Sequence, residues 1–238
     1  MLLLEQEAKE LLESYGIRTA MGRICESESE AVSAARAIGF PVAMKVHGIL
    51  HKSDVGGVIL NVRSEEEVVS AFRKLMKIEG AKGVNVQPMV RGVELIVGAA
   101  ENEQFGSYLV FGLGGIFVEV LRDVSMRLIP LTRRDAEEMV KEIRGYRILE
   151  GYRGIRANVA SIVELLLRVS EVVETEEIVE MDLNPVFANE EGCIVADARI
   201  LKGKRRKFST VARDISFFFN PKSVAVVGAS RSVGKPGN

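Results

Sequence analysis

The sequence predicts an α+β protein of two subdomains. Helical and strand-like segments alternate along its 238 residues without the regular period of repeated βαβ units, and neighbouring strand-like segments are joined by short turns. Short connections of this kind favour antiparallel pairing. We expect the cleft between the two subdomains at about residues 85–90.

The bulk composition is that of a soluble globular protein. The formal net charge is −1, which argues against nucleic-acid or membrane partners. Glutamates follow Met1–Leu4 at once, so this start is not a signal peptide, and no apolar stretch reaches transmembrane length. The distant Cys25 and Cys193 predict neither a disulfide framework nor a metal cluster. We therefore expect a cytoplasmic protein.

Helices are predicted from apolar residues at helical spacing and from start signals. They run from Leu3 to Ser14, from Ala31 to Ile38, from Ser64 to about Lys77, from Thr132 to about Arg144 and from Ser161 to about Val173. Ser27–Glu30, Ser64–Glu67 and Ser161–Glu164 match the capping box, in which serine and glutamate side chains bind the first backbone N–H groups of a helix. Gly145 to Asn158 is predicted to be a loop.

Strands are predicted where short apolar runs lie between turn residues. These runs are Pro41–Val46, Val58–Val62, Val84–Met89, Val93–Ala100, Tyr108–Phe111, Ile116–Leu121, Arg127–Pro130, Ile178–Leu183 and Cys193–Ala198. Arg91–Gly92 is predicted to be a tight turn that pairs the strands on its two sides. Asn189–Gly192 is expected to join the last two strands as a hairpin.

The composition changes after about residue 203. Residues 204–219 are predicted to be a linker, and Ser223–Val227 a buried parallel strand that enters a turn at Gly228–Ser230. This order is typical of the first βα unit of a nucleotide-binding sheet. Because one strand cannot bury itself, we interpret residues 220–238 as the start of a further, Rossmann-like domain.

The loop between the first two strands concentrates polar chemistry. Lys45 ends an apolar strand, and a buried lysine needs an anion, for which a phosphate is suited. Both histidines, His47 and His51, follow it. Alone, His51 is a solvated loop residue, but beside a phosphate site it can accept a phosphoryl group on nitrogen. His47 is interpreted as a structural or surface residue.

A glycine cluster, Gly112–Gly115, follows the strand that ends at Phe111. Its backbone N–H groups are able to bind phosphate oxygens, although such clusters also serve as simple turns. Glu119 follows within an apolar run, either for a function or as an outward-facing residue of an edge strand.

Three polar residues are predicted to meet near the last hairpin. Asp182 and Asn184 share one strand face, and the hairpin brings Asp197 beside Asn184. One carboxylate and one amide oxygen form an incomplete oxygen site of the kind that Mg²⁺ accepts when phosphates and waters complete its shell. The alternative is an ordinary turn aspartate in a capped hairpin.

Together these motifs resemble those of a known family. Lys45, His51–Gly57, Phe111–Glu119, Met181–Pro185 and Asp197–Ile200, in that order, are similar to the ATP-grasp subunit of ADP-forming acetyl-CoA (acyl-CoA) synthetases, relatives of succinyl-CoA synthetase. The resemblance covers residues 1–203 and implies an ATP-grasp fold with the nucleotide between subdomains of about residues 1–88 and 89–203. Phe217–Asn238 resembles the start of the CoA-binding domain of the same enzymes.

The resemblance implies the reaction acyl-CoA + ADP + phosphate ⇌ carboxylic acid + CoA + ATP. In that family an acyl phosphate phosphorylates a histidine of the CoA-binding (alpha) subunit or domain, and a loop carries the phosphoryl group to the ATP-grasp site. The implied cofactors are ATP/ADP and Mg²⁺. The implied partner is that CoA-binding part, in an oligomeric enzyme.

The resemblance also assigns roles to single residues. His51 matches the second phosphorylated histidine of the family, and Asp182 matches the acidic residue that supports it, where the family more often has Glu. Asn184 and Asp197 match the Mg²⁺ ligands. Lys45 matches the lysine that contacts the nucleotide phosphates.

Further nucleotide contacts are implied at two places. Gln87, Met89 and Val90 match the hinge that holds adenine, largely by backbone groups, with Glu94 near the ribose. Gly114, Gly115 and Arg127 are the remaining candidates for binding phosphate.

Two alternatives stay open at this point. One is another ATP-grasp ligase that joins an acyl phosphate directly to an amine or thiol without a phosphohistidine. The other is a non-catalytic module that senses nucleotide or CoA.

Overall fold

A computed structural model describes residues 1–49, 55–115, 123–151, 156–204, 214–225 and 227–228. The chain folds into two compact units, Met1–Arg206 and Lys207–Asn238. Within the described ranges, no helix is both long enough and apolar enough to span a membrane.

The helices and strands have the following bounds. The helices are α1 (Glu5–Ser14), α2 (Glu28–Ile38), α3 (Glu65–Leu75), α4 (Arg133–Glu142), α5 (Tyr146–Gly151), α6 (Val159–Thr175) and α7 (Ser216–Phe219). The strands are β1 (Leu2–Leu3), β2 (Arg23–Cys25), β3 (Val42–His47), β4 (Val58–Val62), β5 (Gly83–Pro88), β6 (Val93–Asn102), β7 (Gly106–Leu113), β8 (Val124–Leu128), β9 (Ile178–Asn189), β10 (Gly192–Val195) and β11 (Ala198–Lys202).

The smaller sheet has the strand order β2-β5-β3-β4, and all its pairs are antiparallel. Helices α2 and α3 pack against it around a core that includes Met44, Phe72 and Val86. Both helices begin at the predicted caps: Ser27 Oγ accepts the Glu30 N–H at 3.3 Å, and Ser64 Oγ accepts the Glu67 N–H at 3.3 Å. The two serine caps are confirmed, but the glutamate half of each capping box differs, because Glu30 accepts the Glu26 N–H and Glu67 accepts the Arg63 N–H.

The larger sheet has the order β1-β11-β9-β6-β7-β8, with β10 also paired to β9. Its longest strand, β9, pairs with β6 along one edge and with β11 and then β10 along the other. The predicted last hairpin is therefore present between β9 and β10, and residues 196–197 step from β10 into a separate strand, β11. Helices α4 and α6 pack on one face of this sheet.

The segment around Arg91–Gly92 does not form the predicted hairpin. Strand β5 already pairs with β2 on one edge and with β3 on the other, so neither edge is left for β6. Strand β6 instead lies between β9 and β7 in the larger sheet. Residues 89–92 thus cross from one sheet to the other.

The start of the chain belongs to the larger sheet. Strand β1 pairs with β11, and Leu3, Ala8, Leu12 and Ile17 lie in the larger core. This differs from the expected assignment of the first 88 residues to a single subdomain. The apolar stripe of α1 fits the open end of the larger core because β1 places the helix there.

Two local predictions need correction. The predicted loop Gly145–Asn158 contains helix α5. Helix α6 begins at Val159 rather than at Ser161, because Asn158 Oδ1 accepts the Ser161 N–H at 3.1 Å and so caps the helix first. The predicted strand Ile116–Leu121 lies outside the described residues.

The tail also differs from its prediction. Ser223–Ala225 form no strand, Val224 is 76% exposed, and the short helix α7 lies within the predicted linker. The physical reason is the one already given, that a lone strand has no partner for its ladder of hydrogen bonds. Val226 and Ala229–Ser230 of the predicted unit lie outside the described residues, and the proposed domain limits stay predictions.

Candidate functional site

Lys45 is a buried cation on β3, the strand that lies between β4 and β5. Its ammonium reaches across to the larger sheet, where Nζ donates to Ala196 O at 2.8 Å and to Asp197 Oδ2 at 3.3 Å. A third acceptor is Glu5 Oε1 of α1, also at 3.3 Å. Lys45 is buried as expected, and the anions that surround it are two carboxylates, so its contact with phosphate stays a prediction.

Asn184 and Asp197 are brought side by side, as the hairpin predicted. The Asn184 N–H donates to the Asp197 carbonyl at 3.2 Å, and Asp197 Oδ1 accepts the Ala198 N–H at 2.9 Å. The Asn184 side chain is exposed, and that of Asp197 is 30% exposed. An exposed amide and a partly exposed carboxylate therefore lie side by side on this face.

Asp182 lies on the same strand face two residues before Asn184. Its cross-strand partners are Gly98 on β6 and Arg199 on β11. Its pKa is raised, chiefly by desolvation from the surrounding protein; Arg199 opposes this rise, while Asp197 and Glu180 add to it. Asp182 and Asp197 thus contribute to one negative region of this face.

The oxygen atoms of Asn184 and Asp197 suit a metal ion whose remaining ligands are waters and nucleotide phosphates. Within the described parts of the chain, no cluster of three or more His, Cys, Asp or Glu side chains is arranged to hold a metal ion. The single carboxylate of Asp197 with the amide of Asn184 is too small a set for a metal site formed by the protein alone. It is the donor chemistry that Mg²⁺ uses beside nucleotide phosphates and waters.

The glycine turn packs against Glu94. The Gly114 N–H donates to the Glu94 carbonyl at 2.7 Å, and a Cβ on Gly114 would lie 3.2 Å from the carbonyl carbon of Glu94. Gly115 has a φ of +60°, and a Cβ there would lie 2.9 Å from Glu94 Oε2. Gly114 thus lies close to the Glu94 backbone and Gly115 has a left-handed φ that favours glycine, so the structure brings both glycines to Glu94 as one group.

Of the predicted adenine hinge, Gln87 lies in β5, and Met89 and Val90 lie in the segment that crosses between the sheets, so the hinge is not a strand pair. The Gln87 side chain is 2% exposed, and its Oε1 accepts from Lys9 Nζ at 3.1 Å. Its amide therefore points into the protein interior. Met89 and Val90 are half-buried in the crossing segment, and their contact with adenine stays a prediction.

Arg127 lies on the opposite face of the larger sheet from Asp182. Along β8, Met126 pairs with Val110, which pairs with Gly98 opposite Asp182, so Met126 shares the face of Asp182. Arg127 points to the other face, where Glu142 of α4 binds its guanidinium and raises its pKa. The sequence alone did not show which face of the sheet Arg127 occupies, because that depends on the register of β8 with β7.

Of the two histidines, only His47 is among the described residues. His47 is half-buried at the end of β3, and its carbonyl accepts the Lys82 N–H at 2.9 Å. His51, like Glu119, lies outside the described residues. Its role stays a prediction.

The sequence interpretation missed Glu5 and Lys9, which lie beside Lys45. Lys9 Nζ has no exposed surface and donates to Glu5 Oε1 at 2.7 Å and to Ala20 O at 2.8 Å. Burial lowers the pKa of Lys9, and the Glu5 charge opposes that effect. The available signal was a Glu–Lys pair at i, i+4 on the same helical stripe as Leu12.

Comparison with known proteins agrees with this geometry. The profile described as an ATP-grasp domain matches residues 1–201. The β subunit of ADP-forming acetate–CoA ligase I from Pyrococcus furiosus is 43% identical over 213 residues, which cover 84% of this chain and 91% of that subunit. The chain belongs to the ATP-grasp family of ADP-forming acetyl-CoA synthetases.

Another relative matches the whole of this chain. ADP-forming acetate–CoA ligase II of Archaeoglobus fulgidus is 64% identical over 240 residues, which cover all of this chain and 36% of that protein. The chain thus spans about a third of the length of that relative.

Solved structures of acetyl-coenzyme A synthetase 1 from Ca. Korarchaeum cryptofilum have the same ATP-grasp fold. In complex with coenzyme A and Ca-AMPCP, that protein is 47% identical with a TM-score of 0.80, covering 85% of this chain and 93% of that chain. A second structure holds coenzyme A and Mg-AMPPCP, with its phosphohistidine segment pointing towards the nucleotide binding site; its TM-score is 0.74 at 47% identity, with the same coverage.

Proposed function

We propose that this ATP-grasp chain transfers a phosphoryl group between a phosphohistidine and ADP/ATP, as part of the reaction acyl-CoA + ADP + phosphate ⇌ carboxylic acid + CoA + ATP. The observation that carries the proposal is the position of Lys45 Nζ, 3.3 Å from Asp197 Oδ2, where the Asp197 carbonyl accepts the Asn184 N–H. A cation and oxygen ligands for a metal therefore meet at one place, which is what phosphoryl transfer requires of a protein.

The residues divide the work by their chemistry. Lys45 neutralises charge on the nucleotide phosphates, and the backbone of Gly114–Gly115 donates to phosphate oxygens. In the direction of ATP formation, the N–P bond of phosphorylated His51 breaks as an oxygen of the ADP β-phosphate forms the new P–O bond, and the released imidazole takes up a proton. Asp182 orients His51 and stabilises its cationic form.

The proposed metal is Mg²⁺, held by Asn184 and Asp197 with the nucleotide phosphates. When bound, it supplies positive charge beside the transferred phosphoryl group. The solvent exposure of Asn184 and the partial exposure of Asp197 support this assignment, as does the presence of Mg-AMPPCP in a structure of a 47% identical relative.

The proposed partner is a CoA-binding part that carries the primary phosphohistidine. Relatives of this chain include separate β subunits and larger single-chain ligases, so the part is expected either as a subunit or within one polypeptide. Through it the enzyme would reach the acyl-CoA, the carboxylic acid and phosphate.

Replacing the proposed phosphoryl carrier tests this function. In the enzyme reconstituted with its CoA-binding part, we expect His51→Ala to abolish ATP formation while the binding of ADP persists. His47→Ala, at the other histidine of the chain, is the matched control and should retain activity. Normal turnover of His51→Ala would contradict the proposal.

A further inference from the structure

A buried polar network extends from the core of the protein to the candidate site. Glu5 and Lys9 come from α1, Asn85 and Gln87 from β5, and Lys45 from β3. The exposed fraction of the charged side chains is 0% for Lys9, 8% for Glu5 and 6% for Lys45, and it reaches 30% at Asp197. The network is therefore anchored inside the protein and opens at the proposed metal ligand.

One carboxylate oxygen joins the two lysines. Glu5 Oε1 accepts from Lys9 Nζ at 2.7 Å, from Lys45 Nζ at 3.3 Å and from Asn85 Nδ2 at 3.5 Å. The shorter distance to Lys9 shows that Glu5 is held mainly from the buried side. Lys45 is the partner at the open side.

Three hydrogen bonds hold the Lys9 ammonium in place. Its ammonium donates to Glu5 Oε1, Ala20 O and Gln87 Oε1, which matches the three N–H groups of a lysine. These acceptors come from α1, from the segment before β2 and from β5. Lys9 therefore holds the Glu5 carboxylate in place. The three contacts of the Lys9 ammonium are all within the protein, so none of them is available to a ligand.

Lys45, in contrast, has to exchange a partner. Its contacts are Ala196 O, Glu5 and Asp197, and the proposed function gives Asp197 to a metal ion and Lys45 to phosphate. When Asp197 turns to the metal, Glu5 is the remaining anion in contact with the Lys45 ammonium among the partners described. The Lys45 side chain has a flexible four-carbon stem, so the contact with Glu5 is then needed to keep the ammonium in place.

We propose that Glu5, held by Lys9, is a positioning residue that keeps the Lys45 ammonium in reach of the nucleotide phosphates. This inference rests on the proposed function and extends it to two residues of α1. Glu5 acts through Lys45 and does not itself contact the nucleotide.

The test is a double-mutant cycle on the whole 238-residue chain, measured by calorimetric titration with ATP and Mg²⁺ and with adenosine, which lacks phosphates. We expect Glu5→Gln to weaken ATP binding at least about tenfold and to leave adenosine binding unchanged. In a Lys45→Met background, Glu5→Gln should have no further effect on ATP binding, because its action passes through Lys45.

Two further variants support the cycle. Glu10→Gln changes an exposed glutamate of the same helix and should bind ATP normally. Glu5→Asp keeps the charge but withdraws the carboxylate from Lys45, so it should give a smaller loss that is again specific to ATP. This variant decides the question if Glu5→Gln does not fold.

The outcomes separate this inference from the proposed function. ATP binding unchanged in the Glu5 variants, an equal loss for ATP and adenosine, or a loss that persists in Lys45→Met would each overturn the role of Glu5 alone. Failure of the wild-type chain to bind ATP would overturn the proposed function, and this inference with it.

Discussion

Lys9 illustrates at the scale of one residue how this protein tolerates a buried charge. A buried ammonium is costly unless it is paired and hydrogen-bonded, and Lys9 has one carboxylate and two neutral acceptors. The same carboxylate oxygen also serves Lys45. Glu5 is therefore the side chain that the two buried lysines share.

Removal of that side chain should be costly. We expect Glu5→Gln to reduce the free energy of unfolding by about 3–5 kcal/mol, because the buried Lys9 loses its carboxylate. The double variant Glu5→Leu/Lys9→Met should lose less than the single variant, because no unpaired buried charge remains. Urea denaturation of the chain measures both, with Glu10→Gln as the control.

An equal or larger loss in the double variant would contradict this account. It would mean that the shape of the two side chains, rather than their charges, stabilises the end of α1.

At the residue scale, sequence reasoning brought together the candidate site residues but missed the buried residues that contact Lys45. Lys45, Asn184 and Asp197 could be predicted because each is a polar residue at or next to the end of a short apolar run, although the structure places Lys45 within β3 and Asn184 within β9. Glu5 and Lys9 resemble an ordinary surface ion pair of a helix until the fold places β3 and β5 against them. Arg127 was misplaced because a shift of one residue along a strand reverses the face, and the register depends on β7.

At the scale of elements, the sequence predicted where helices begin but not which strands pair with each other. Ser27, Ser64 and Thr132 each cap a helix, as their short patterns predicted. The pairing of β5 with β6 was wrong because it depended on β2 and β3, which occupy both edges of β5. Nothing within residues 84–100 contains that information.

The crossing segment between the sheets gives a prediction at this scale. A Cβ on Gly92 would lie 2.5 Å from Ala188 O and 2.8 Å from Ala188 C, which are backbone atoms of β9. We expect Gly92→Ala to destabilise the chain by about 1–3 kcal/mol, because the start of β6 has to move away from β9. Gly98→Ala is the matched control on β6, since its Cβ would meet only Met181 O at 3.5 Å.

Chemical denaturation compares the two glycine variants, and amide exchange locates the change. Faster exchange at Val93, which pairs with Ala188, should accompany the loss in Gly92→Ala. Equal stability of the two variants would contradict the crossing geometry.

A polar contact between the ends of three elements gives a pH-dependent prediction. Glu176, after α6, accepts from Tyr15 Oη at 2.7 Å and from Lys202 Nζ of β11 at 2.5 Å. The Lys202 hydrogen bond and then the Tyr15 hydrogen bond lower the pKa of Glu176. A lowered carboxyl pKa stabilises the fold above the unfolded-state pKa, and this contribution is lost as the pH falls through the folded-state pKa.

Glu176→Gln should therefore reduce the free energy of unfolding by about 1–2 kcal/mol at pH 7. The difference from wild type should shrink as the pH falls below about 4, where the unfolded-state carboxyl is protonated. Denaturation curves at several pH values test this, with the exposed Glu171→Gln of α6 as the control. A difference that stays constant with pH would show that the charge of Glu176 is not responsible.

At the scale of the whole unit Met1–Arg206, the two sheets meet through polar groups at the site. Lys45 of the smaller sheet contacts residues 196–197 of the larger one, and α1 supplies Glu5 and Lys9 to the same place. Bound nucleotide and metal would replace some of these contacts. The resemblance to ATP-grasp synthetases anticipated this arrangement, whereas composition and periodicity alone predicted only an α+β fold.

Metal removal tests the proposed use of this junction. In the wild-type chain, chelation of Mg²⁺ by EDTA should weaken ATP binding by about tenfold or more, because Asp197 and the phosphates then repel each other. In Asp197→Asn the effect of EDTA should be much smaller. Equal sensitivity of the two proteins, measured by calorimetric titration, would remove Asp197 from the proposed metal site.

The central claim is that this chain itself carries the phosphoryl group before it reaches ADP, and radiolabelling tests it most directly. The wild-type chain is incubated with Mg²⁺ and ATP labelled at the γ-phosphate, quenched, and then challenged with ADP. We predict an acid-labile, base-stable label that ADP discharges as labelled ATP, present in His47→Ala and absent from His51→Ala. A wild-type chain that takes up no such label, or a label that remains in His51→Ala, would contradict the account.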